Sequence, residues 1–207
     1  MTRVLLTAFE PYEPWSTNAS WLALVELLRD LQTTMELTTR LYPVDLTAMK
    51  DKLASDMKSQ YDVAIHIGQA PGSTCLQFEE FAVNLAVAGK TLTHHAAAVA
   101  IDEAGPVAYR SQLPLQAYAA SLRESGIPAR VSQHAGTFLC NAILYWSHQL
   151  IADLRLTTKA TFLHIPLETS QVLELDDPTA FMPKEMVASG LRLILEQLEL
   201  VHEETAA

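Results

Sequence analysis

Apolar and polar positions along the chain follow two rhythms, one of period two and one near 3.6. Arg3–Phe9 is a short apolar run closed by Glu10, Pro11 and Pro14, which predicts a buried strand followed by a loop reaching Asn18. From Ala19 the apolar positions Trp21, Leu22, Leu24, Val25, Leu27, Leu28 and Leu31 recur at helical spacing around Glu26, Arg29 and Asp30. That is an amphipathic helix. Glu36–Leu41 alternates as a strand, and Asp45 is placed to cap a helix reaching about Ser59. Asp62–Ile67 reads as a third strand ending at Gly68, Thr74–Leu85 as extended chain, and Thr91–Gly105 carries little pattern. Helices follow over Leu113–Ser125, Phe138–Leu154 and Lys184–Leu200, with strands over Arg130–Ser132 and Ala160–Ile165. This alternation predicts one domain over residues 1–207, a three-layer α/β/α sandwich with helices on both faces of a mostly parallel (mixed) central sheet. Sites in such sheets form at the C-terminal ends of strands.

Composition narrows the partners. Apolar residues make up 49% of the chain and charged residues 18%, which excludes disorder as the default state. Acidic groups outnumber Lys plus Arg by 24 to 14, so a net charge of −10 repels phosphate backbones, and nucleic acid is a poor partner. The opening apolar stretch is too short for a signal-peptide core, and no run approaches the length that spans a bilayer. With only Cys75 and Cys140, the chain is read as a protein of the reducing cytoplasm.

Candidate chemistry centres on Cys140. It falls just inside a helix that begins near Thr137 or Phe138, after Ala135-Gly136, where first-turn N–H groups and the positive end of the helix dipole favour a thiolate. The competing reading is a core cysteine on an apolar helix. A nucleophilic thiol needs a base. His164 ends the strand that starts at Ala160, the position at which a parallel sheet presents site residues, and His134 is its rival. His148 lies eight residues along the same helix, about 12 Å away along the axis, and cannot serve. The pair His94-His95 does not easily converge on one metal from adjacent positions and no metal-ligand spacing occurs, so no metal is expected. His66 and His202 read as structural. In Phe78-Glu79-Glu80-Phe81-Ala82-Val83-Asn84-Leu85, strand alternation puts Glu79 on the side of Phe81, Val83 and Leu85, where a carboxylate needs a partner such as an imidazolium. A bulge would instead leave both acids at the surface. Phe9, Tyr12 and Trp15, with Asn18 after them, could wall a pocket with one hydrogen-bonding group, or simply pack in the core.

These segments together resemble the pyroglutamyl peptidase type I (pyrrolidone-carboxylate cysteine peptidase) family. The most specific likeness is Ala135-Gly136-Thr137-Phe138-Leu139-Cys140-Asn141 followed by Tyr145. Leu5-Leu6-Thr7-Ala8-Phe9-Glu10-Pro11-Tyr12, Gly68-Gln69-Ala70, Ala82-Val83-Asn84 and Phe162-Leu163-His164-Ile165-Pro166 fall in the family's order. The resemblance implies a phosphorylase/hydrolase-like fold and removal of N-terminal pyroglutamate from peptides without a cofactor. It implies Cys140 as nucleophile, His164 as base and Glu79 as orienting acid, with Phe9, Tyr12 and Phe138 walling the ring and Asn18 and Gln69 as polar contacts. It also carries the expectation of a homotetramer. The chain departs from the family pattern at Pro71-Gly72-Ser73 and Glu80, where two cationic positions are lost, through Ala86–His95, at Tyr12 and Glu13-Pro14, and over Leu167-Glu168-Thr169-Ser170-Gln171. A related thiol amidase for another small acyl or lactam group, and a non-catalytic binding module on the same fold, are the alternatives.

Overall fold

The computed structural model describes residues 1–87, 98–173 and 175–206. The apolar runs become the centre of a mixed seven-stranded sheet. β1 (Arg3–Phe9), β3 (Val63–Gln69) and β9 (Lys159–Ile165) pair in parallel, with β2 (Glu36–Tyr42) parallel at one edge of β1. β4 (Leu76–Val83) lies antiparallel to β9. Its other edge is shared by β8 (Ala129–His134), parallel to its first part, and β7 (Ala108–Arg110), antiparallel to its end. β5 (Ala86–Val87) and β6 (Ala98–Val99) form a separate two-residue ribbon. Every residue of β3 is buried, as a strand covered on both faces requires.

Strand alternation sorts side chains into two cores. Val4, Leu6, Ile65, Ile67, Phe78, Leu163 and Ile165 face α1 (Ala19–Arg29), α3 (Leu115–Glu124) and α6 (Lys184–Ala206). Leu5, Phe9, Ala64 and Phe162 face α2 (Leu46–Met57) and α4 (Leu139–Asp153). The result is the three-layer α/β/α arrangement. Caps fix where the first helices begin: Asn18 Oδ1 accepts from Ser20 N at 3.0 Å, and Asp45 Oδ1 accepts from Thr47 N at 3.1 Å and Ala48 N at 3.0 Å. No helix among the described residues is long and apolar enough to cross a membrane.

Three features differ from the expectation. β7 is three residues long at the sheet edge, too short to leave a period in the sequence. The chain returning to it is organised by polar contacts. Asn84 Oδ1 accepts from Ile101 N (2.9 Å) and Asp102 N (3.0 Å), and Asn84 Nδ2 donates to Asp102 O (2.7 Å). The last helix runs on to Ala206, past the point where its apolar stripe ends. His94 and His95 lie outside the described residues.

Candidate active site

α4 runs over β3 and β9, and its first turn brings Cys140 over their C-terminal ends. Gly136, at φ 76°, makes the turn out of β8 that only glycine adopts without strain. The helix then starts at Leu139 with Phe138 as N-cap and no side-chain cap, so its first N–H groups remain available to a ligand. Asn141, fully buried, ties this turn to β4. Its Oδ1 accepts from Val83 N, and its Nδ2 donates to Val83 O and Leu85 O, each at 2.8 Å. Beneath the sulfur, a Cβ on Gly68 would come 3.4 Å from Cys140 Sγ and 2.5 Å from Phe162 Cζ. Glycine there lets Cys140 and Phe162 close onto the strand.

His164 stands directly opposite Gly68 across the β3–β9 ladder, and its Nδ1 is 2.6 Å from Glu79 Oε1. Glu79 is 2% exposed, and the β4–β9 ladder runs through it in regular register, opposite Phe162, with no bulge to turn it outward. Its apolar surroundings come from Phe162 and α4 across the ladder, whereas Phe81 and Val83 on its own strand are only half-buried. Among the described residues Glu79 Oε2 has no hydrogen-bond partner, so this carboxylate depends on the positive ring beside it. The His164 pKa is pushed up to about 10. Burial presses it down, and the Cys140 sulfur and then Glu79 beside it more than reverse that.

Beside the sulfur lies a pocket of about 80 Å³ lined by Phe9, Tyr12, Asn18, Val44, Gln69 and Phe138, with Gly68, Leu139 and Cys140 at its base. It is well below the roughly 300 Å³ at which drug-sized ligand clefts begin, and suits one small ring. Burial holds the Tyr12 phenol above its ordinary value, with the approach of Gln69 opposing that effect. Asn18 lines the pocket while its amide serves the fold: Oδ1 accepts from Ser20 N and Ser20 Oγ, and Nδ2 donates to Glu10 O. Gln69 differs. Its Oε1 accepts from Ala19 N and from Gln171 Nε2, both at 2.9 Å, which fixes the amide orientation. Its Nε2 is buried without a hydrogen bond of good geometry among the described residues. Trp15 takes no part in the pocket wall.

A sequence model of the pyroglutamyl peptidase family matches residues 2–199. The chain belongs to the pyroglutamyl peptidase family. It is 35% identical over 200 residues to a pyrrolidone-carboxylate peptidase of Clavibacter michiganensis, covering 94% of this chain and 92% of that one. Against the pyrrolidone-carboxylate peptidase of Chromobacterium violaceum it is 36% identical over 202 residues, with 95% and 92% covered. Among solved structures, pyrrolidone carboxyl peptidase of Fervidobacterium islandicum superposes with a TM-score of 0.88 at 30% identity, over 96% of this chain and 99% of that one. The enzyme of Thermococcus litoralis gives 0.87 at 27% identity, over 100% and 97%.

In this pyroglutamyl peptidase family member the described histidines other than His164 have partners of their own away from the Cys140 sulfur. His134 is exposed and its Nδ1 accepts from Gly136 N at 3.1 Å, so it supports the turn before α4. His148 is buried, stacks on Tyr109 with centroids 5.7 Å apart, and is pushed down to about 4 by burial. His66 is fully buried and pushed down to about 3 by burial and by His148. The side chain of His202 lies outside the described residues. Sequence reasoning missed Val44 and Leu139 in the pocket wall and Gln171 behind it. Gln171 is held by α5 (Thr169–Val172), in which Glu168 and Gln171 form a capping box. An acid followed three residues later by Gln was the signal that could have marked that turn.

Proposed function

We propose that this chain is a thiol-dependent pyroglutamyl peptidase, one domain over residues 1–207, that removes N-terminal pyroglutamate from peptides. The observation that carries the reading is the 2.6 Å Glu79–His164 pair beside Cys140, opening onto a small apolar pocket with one unpartnered amide donor. Pyroglutamate is a neutral five-membered lactam. Phe9, Tyr12 and Phe138 enclose such a ring, and Gln69 Nε2 donates to its carbonyl, as a buried orphan donor requires.

In the first half-reaction the Cys140 thiolate attacks the pyroglutamyl carbonyl carbon, and the first-turn N–H of Cys140 stabilises the developing oxyanion. The C–N bond breaks as the His164 imidazolium gives its proton to the departing amine, leaving a thioester. Neutral His164 then takes a proton from water, the resulting hydroxide attacks the thioester, and pyroglutamate leaves with the Cys140 thiolate regenerated. Glu79 holds the ring by Nδ1 so that Nε2 faces the reacting atoms, and it stabilises the imidazolium. Such a thiol works in a reducing compartment, so the reading places the protein in the cytoplasm, and a homotetramer is its expected assembly.

The test is steady-state hydrolysis of pyroglutamyl aminomethylcoumarin against a panel of prolyl, glutaminyl and acetyl amides. Turnover confined to the pyroglutamyl substrate supports the reading. Preference for another acyl or lactam group would make the chain a different thiol amidase, and no turnover with any of them would leave a binding module.

A further inference from the structure

Four residues stand directly opposite one another across four strands: Gly68 on β3, His164 on β9, Gln77 on β4 and Arg130 on β8. Residues paired in this way point to the same face, and a Cβ on Gly68 would point at Cys140 Sγ, so the face is the one under α4. The row therefore has a direction. The ring pocket lies at its β1–β3 end, the sulfur stands above Gly68, and His164 comes next. A peptide whose first residue fills that pocket must leave over the opposite end, past His164 toward Gln77 and Arg130.

That end is built. A groove of about 260 Å³ lies there, lined by Pro71, Ser73, Thr74, Cys75, Gln77 and Arg130 among others. Gln77 Oε1 accepts from Arg130 Nε at 3.1 Å and Nη2 at 2.6 Å, while Gln77 Nε2 donates to Ser73 Oγ at 2.5 Å. Ser73 Oγ in turn donates to Cys75 O at 2.8 Å. The guanidinium is thus held on one edge with its remaining N–H groups free, and among the described residues it has no acidic ion-pair partner. In a chain of net charge −10, this exposed guanidinium, held in one orientation by Gln77, presents a cationic edge to a ligand. Strands are about 4.8 Å apart, so Arg130 stands roughly 10 Å from His164 along the row, within side-chain reach of a group one or two residues beyond the scissile bond.

Resting on the pyroglutamyl peptidase reading above, we propose that the Ser73–Gln77–Arg130 groove is the leaving-peptide subsite, and that Arg130 recognises a carboxylate there. That carboxylate is the C-terminus of a short peptide or an acidic side chain just after the cleaved bond.

The experiment compares kcat/KM for pyroglutamyl-alanine, pyroglutamyl-alanine amide and pyroglutamyl-glutamic acid α-amide, with pyroglutamyl aminomethylcoumarin as a neutral reference, in the wild type, Arg130→Ala and Arg130→Glu. The wild type is expected to prefer one or both carboxylate substrates over the neutral amide by about fivefold. The preference should level in Arg130→Ala and invert in Arg130→Glu. Which carboxylate substrate is favoured identifies the source. Because the readout is a ratio between substrates in one protein, a uniform loss of active enzyme does not move it. No preference in a wild type that cleaves the coumarin substrate, or a preference that survives in Arg130→Ala, would overturn the subsite alone. A wild type inert toward the coumarin substrate would overturn the pyroglutamyl reading and the subsite with it.

Discussion

α4 lays two side chains over the sheet seven residues apart, about 10.5 Å along its axis, and each meets a histidine from the strands below. At the first turn Cys140 meets His164 of β9. Two turns on, Ser147 meets His66 of β3, with Ser147 Oγ and His66 Nε2 2.8 Å apart. In both places the other ring nitrogen has a partner from the next strand, Glu79 for His164 and Thr7 for His66. Ser147 Oγ donates to Ile143 O, so it accepts from His66 Nε2–H, and Thr7 Oγ1–H then donates to Nδ1. His66 is neutral and fully satisfied inside the core. His164 has a buried carboxylate and the Cys140 sulfur in place of the two hydroxyls, and its pKa is pushed up to about 10. The same scaffold yields a neutral bridge or a charged pair according to which atoms flank the imidazole.

The largest contrast to break is between the two α4 side chains. Cys140→Ala should lower kcat/KM on a pyroglutamyl amide by about 10⁴-fold or more while leaving the melting temperature near wild type. Ser147→Ala should keep turnover within about twofold and lose about 1–3 kcal/mol of stability, because His66 Nε2–H is left unpaired. Urea titration and steady-state kinetics on both variants separate the roles. Equal loss of turnover in the two would break the distinction.

A smaller effect is expected at the flanking groups. Glu79→Gln keeps a hydrogen-bonding group on His164 Nδ1 but removes the charge, so turnover should fall by about 10²–10³-fold. The His164 titration midpoint, followed by NMR, should move down from its raised value. Thr7→Val should leave that midpoint in place. A raised midpoint in Glu79→Gln would mean that the Cys140 thiolate alone sets the charge on the ring.

The smallest effect lies in pH. His66 and His148 are held neutral, near 3 and 4, so the unfolded chain binds more protons below its ordinary histidine value of about 6.5. Their favourable share is complete above pH 6.5 and is lost as pH falls toward 4, at up to about 1.4 kcal/mol per pH unit for each group. His164 acts in the opposite sense. Its share is complete below pH 6.5 and fades as pH rises through about 10. His148→Phe removes a ring whose Nε2 is buried without a partner among the described residues, and it should flatten the acid limb of stability measured between pH 7 and 5. An unchanged acid limb would assign it to other groups.

Much of this arrangement was legible in the amino-acid order. The strand ends carrying Gly68 and His164, the start of α4 before Cys140, and the inward side of Glu79 all follow from apolar periodicity and from glycine, which is why the trio could be named. Gln171 could not be, because its effect runs through the orientation of Gln69, and a chain of amides leaves no period. Nor could the row from Gly68 to Arg130, since it is a product of register between strands distant in sequence. The burial of His66 and His148 was equally hidden, because a histidine in an apolar run reads alike whether serine, thiol or water stands opposite.

The most direct measurement is acid-quench trapping of the acyl-enzyme with a pyroglutamyl substrate, followed by peptide mapping by mass spectrometry. The predicted result is a pyroglutamyl thioester on the peptide containing Cys140, accumulating within the first turnovers and absent from Cys140→Ala. Acylation mapped to Cys75, or undiminished turnover in Cys140→Ala, would contradict the assignment of Cys140 as the nucleophile.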